Sequence, residues 1–66
     1  MIALGTTVDS VDELLTMLKA DDDYEIARYD YNEMTNSLTI YDSDNVHTII
    51  TLKKDDFGKL VIKRIW

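Results

Sequence analysis

Val46-His47-Thr48-Ile49-Ile50-Thr51-Leu52 is the stretch from which the fold is read, and five of its seven residues are β-branched. Such side chains favour a pleated backbone. Neighbours in a strand point to opposite faces, so Ile49 and Ile50 put one large aliphatic on each side of any sheet built here. Leu60-Val61-Ile62 repeats the arrangement. A sheet made of these strands requires cover above and below.

Working backwards, Ser43-Asp44-Asn45 is a tight turn in which Asn tolerates positive φ, and 37–42 is the strand that precedes it. Turn length sets register, and register sets faces. A three-residue turn at 43–45 groups Leu38, Ile40, Val46, Ile50 and Leu52 on one face and leaves Tyr41 and Ile49 on the other. A two-residue turn at 44–45 pairs Ile40 with Ile49 and sends Ile50 to the reverse. The first gathers more aliphatics and is preferred. Asn32-Glu33-Met34-Thr35-Asn36 supplies turn residues between 37–42 and an earlier strand, 24–31, of tyrosines and Ile26 among charges. Forward of the central stretch, 46–53 runs into the loop Lys54-Asp55-Asp56-Phe57-Gly58, and 59–65 forms the last strand. Short loops between consecutive strands read as an antiparallel meander.

Ser10-Val11-Asp12-Glu13 fits a capping box, Ser10 accepting from the Glu13 amide and Glu13 reaching back to the Ser10 amide. Val11, Leu14, Leu15 and Leu18 follow at i, i+3, i+4 and i+7, one helical stripe flanked by Met17. Asp21-Asp22-Asp23 ends the helix, because carboxylates oppose the negative end of its dipole. Residues 1–8 read as an extended arm or as a fifth strand added to a sheet edge.

The expected fold is therefore α+β in a single domain, 1–66. One N-terminal helix (about 10–20) packs on one face of a four-stranded antiparallel meander (about 24–31, 37–42, 46–53 and 59–65). Ten helical residues span roughly 15 Å and cover one face only. The reverse face is expected to show Tyr29, Tyr31, Tyr41, Ile49, Val61 and Ile65, with part of Phe57 or Trp66. Large contiguous apolar patches mark interaction sites and tyrosine is enriched in interfaces. Tyr29, Tyr41, Ile49, Val61 and Ile65 are accordingly the expected interface. An N-terminal arm folded over the reverse face would satisfy it internally.

Charge is unevenly distributed. Residues 1–52 hold eleven carboxylates against Lys19 and Arg28, a net of −9, whereas 53–66 hold five basic residues against Asp55 and Asp56, a net of +3. An acidic body repels phosphates, so neither direct nucleic-acid binding nor an anionic membrane is expected. No apolar run approaches the roughly 20 residues of a bilayer span, and the start of the chain lacks the basic and apolar regions of a signal peptide. A cytoplasmic location is the expectation. With no cysteine, disulfides and thiolate zinc sites are excluded, and self-association is the usual support for so small a core.

Nothing in the motifs points to catalysis, a metal or a cofactor. His47 is the single histidine and has no nucleophile-elbow serine to serve. Asp21-Asp22-Asp23 offers oxygens for a cation, but consecutive aspartates fan apart. Asp42-Ser43-Asp44-Asn45 begins like a calcium loop, then fails the pattern at Val46 and lacks the glycine. The first expectation is a small non-enzymatic protein-interaction module that associates through its sheet with itself or with a larger partner. The alternative is an acidic decoy that occupies a nucleic-acid site by imitating phosphates, a character shared with small phage-encoded inhibitors without any common motif.

Overall fold

The computed structural model describes residues 2–66. Its elements are β1 (Thr7–Val8), α1 (Val11–Ala20), β2 (Arg28–Asn32), β3 (Ser37–Tyr41), β4 (His47–Lys54) and β5 (Leu60–Ile65). The five strands form one sheet in the order β1-β5-β4-β3-β2, every pairing antiparallel. The α+β character expected from the sequence is present, but the four-stranded meander is not. Thr7 and Val8 pair with Val61 and Leu60, and the sheet gains a fifth strand at the edge of β5. The gain has a physical cause: β5 would otherwise leave its outer amides and carbonyls unpaired. Gly5 N–H donates to Ile62 O (2.8 Å) and Ile62 N–H to Thr6 O (2.9 Å), extending this ladder beyond the short strand. Gly5 adopts φ 87°, a left-handed conformation costly for other residues.

α1 buries the expected stripe. Leu14, Leu15 and Leu18 are buried, with Val11 and Met17 packed beside them, against Leu38, Ile40, Ile50, Leu52, Leu60 and Ile62 of the sheet. Ile2 and Val8 close the same core. Ser10 caps the helix by accepting from Glu13 N–H (3.1 Å), but the Glu13 carboxylate reaches back to Asp9 N–H (3.0 Å), one residue earlier than the expected Ser10 amide. At the other end Asp21 Oδ1 accepts from Asp23 N–H (2.9 Å). The helix thus stops in an aspartate turn, an addition to the dipole argument.

The strand expected over 24–31 starts four residues late, at Arg28. Residues 24–27 carry the chain from the helix layer to the sheet edge, and Tyr24 and Ile26 pack against the core on the way. Burial, then the charges of Asp21 and Asp23, hold the Tyr24 phenol above its ordinary 10.0. A phenol raised in the folded state leaves stability untouched below the unfolded value and erodes it as pH climbs past that value. Urea midpoints measured at about pH 8 and about pH 11 are expected to fall, and to fall less in Tyr24→Phe. An identical fall in both proteins would remove Tyr24 from the alkaline response.

The β3–β4 register is the preferred one: Leu38 faces Ile50, Ile40 faces Thr48, and Tyr41 faces His47. Its turn has a device that the β4–β5 loop repeats. Asp42 Oδ1 accepts from Asp44 N–H and Val46 N–H, both at 2.9 Å, with Asn45 at φ 65°. Asp55 Oδ1 accepts from Phe57 N–H (2.8 Å) and Lys59 N–H (2.9 Å), with Gly58 at φ 78°. In each, an aspartate collects two amides and the residue three later turns left-handed.

Strict alternation fails once. Thr51 pairs with Arg64 and Leu52 with Ile62, leaving Lys63 as an extra residue in β5. Such a bulge reverses which parity faces the core. Ile62 and Ile65 therefore lie on the helix side together, and Ile65 packs on the core.

Candidate functional site

The face of the sheet turned away from α1 is the candidate site. Cross-strand partners share a face, so the ladders assign its members: Arg28 and Asp30 of β2, Thr39 and Tyr41 of β3, His47, Ile49, Thr51 and Lys53 of β4, and Val61 and Arg64 of β5. Among the described residues, α1, Ile2 and the 24–27 connection all lie on the other side, in or against the core. Ile50 is completely buried there, while Ile49, Tyr41 and Val61 are partly exposed on the open face.

Two rings on this face are each covered by a guanidinium. Arg28 Cζ sits 3.7 Å from the centre of the Tyr41 ring, and Arg64 Cζ 4.5 Å from that of Trp66, a favourable contact with the ring quadrupole. Arg28 Nη2 also donates to Asn45 Oδ1. Trp66 is held across β4: its backbone N–H donates to Ile49 O (2.9 Å) and its indole N–H to Thr51 Oγ1 (3.2 Å). Trp66 is nevertheless 64% exposed. His47 meets the Tyr41 ring edge-on at 6.3 Å between centroids. Towards the β4–β5 loop, Lys53, Lys63 and Val61 line a depression of about 280 Å³ that Asp55 and Asp56 rim.

Of the five expected interface residues, Tyr41, Ile49 and Val61 lie together on the open face. Tyr29 and Ile65 do not. Tyr29 pairs with Ile40 and Tyr31 with Leu38, so both tyrosines are on the helix side. Tyr31 packs on the core and donates to Asn36 Oδ1 (3.1 Å), whereas Tyr29, beyond the reach of the short helix, stays 51% exposed. The four-residue loop 33–36 decides this, through the pairing of Asn32 with Ser37. Ile65 is displaced from the open face by the Lys63 bulge. Phe57 stands at a loop tip, 89% exposed.

Sequence reasoning missed Arg28 and Arg64 as members of the site and gave Trp66 only a partial place. The excess of basic residues after position 52 was a signal for Arg64, but nothing local showed that Arg28, on the edge strand β2, would share its face.

Besides Asp30, Asp55 and Asp56, a second group of carboxylates gathers on the other side. Asp22, Asp23, Glu25 and Asp42 line a groove of about 330 Å³ with Ile40 and Thr48, against the helix side. Several have local tasks: Glu13 in the helix cap, Asp21, Asp42 and Asp55 in turns, and Glu25 accepting from Ser43 N–H at 3.3 Å. Asp9 pairs with Lys59 (3.2 Å). Among the described residues no three carboxylate or imidazole groups converge as a metal site would require, and no helix is long and apolar enough to cross a membrane. The chain matches none of the protein families, curated proteins or solved structures with which it was compared.

Proposed function

We propose that this protein is a small non-enzymatic interaction module that associates through the open face of its sheet, with itself or with a larger partner. One observation carries the reading: Tyr41, Ile49 and Val61 lie on a face that no other element of the described chain covers. Burial of partly exposed aliphatic and aromatic side chains is the ordinary driving force of association. The decoy alternative has weaker support, because Glu13, Asp21 and Asp42 are engaged with backbone amides and are less available to imitate phosphates.

Association is read as a sedimenting mass above the 7.6 kDa of one chain, or as a partner retained on the immobilised protein. Ile49→Asp and Tyr41→Asp are each expected to abolish it while the helical circular dichroism signal persists. Association of either kind that survives both substitutions overturns the proposal. Raising the salt separates the alternatives: decoy binding collapses, while contact through aliphatic side chains persists.

A further inference from the structure

We draw no further inference here: the strongest candidate, the outer edge of β2 (Arg28–Asn32), which ends the sheet beyond β3, carries nothing, because nothing in the structure shows what covers it.

Discussion

Ile50→Ala is expected to remove a large share of this protein's stability, whereas Ile49→Ala, one residue away and only partly buried, costs about 1–2 kcal/mol, less than the loss of a fully buried side chain. Ile50 is completely buried between β3 and β5, opposite Leu38 and Ile65 and among the core side chains that α1 covers. Truncating such a side chain removes its transfer energy and leaves a cavity, typically about 2–5 kcal/mol in all. At the usual 0.05–0.15 kcal/mol per residue, a chain of 66 residues has about 3–10 kcal/mol to lose. Ile49 has the same chemistry but faces the open side. Chemical denaturation of the two variants is the measurement. Comparable midpoints would mean that both faces are equally covered, and the candidate site would disappear with that result.

The second large effect is expected at the two hairpin aspartates. Asp42 and Asp55 each accept two backbone amides at 2.8–2.9 Å. A hydrogen bond of this kind adds about 1 kcal/mol net, somewhat more with a charged acceptor. Partial exposure lowers the return, so Asp42→Ala and Asp55→Ala are each expected to cost about 1 kcal/mol. The double variant should lose about their sum, because the turns lie at the ends of different hairpins and share no partner. Asn substitution should retain much of the stability, since its side-chain oxygen can accept the same amides. Thermal or urea unfolding of the single, double and Asn variants checks this. A double variant as stable as the parent would show that strand pairing alone shapes the turns.

These expectations also mark where local reading sufficed. Ser10 and Glu13 with the stripe Val11, Leu14, Leu15 and Leu18 carry the helix in their own spacing, and the structure puts it at Val11–Ala20. The Asp42–Val46 turn likewise determines the register that unites Leu38 with Ile50, because turn and register are linked within a few residues. In the candidate site, Tyr41 and Ile49 were legible for that reason. Val61 was legible too, because it precedes the bulge. Tyr29 and Ile65 were not. One depends on how four loop residues set the pairing of Asn32 with Ser37, the other on an extra residue at Lys63 that the neighbouring strand imposes.

The sequence by itself therefore determined the helix, its buried stripe, the central hairpin and the presence of aliphatics on both faces of the sheet. These follow from capping, periodicity and turn chemistry, all of which act over a few residues. Only the tertiary structure decided that Thr7 and Val8 would pair with β5, that Ile65 would turn inward, and that Arg28 and Arg64 would share a face with Tyr41 and Trp66. Those outcomes depend on which strand edges meet across long separations in the chain, and hydrogen-bond partners so far apart leave no local pattern to read.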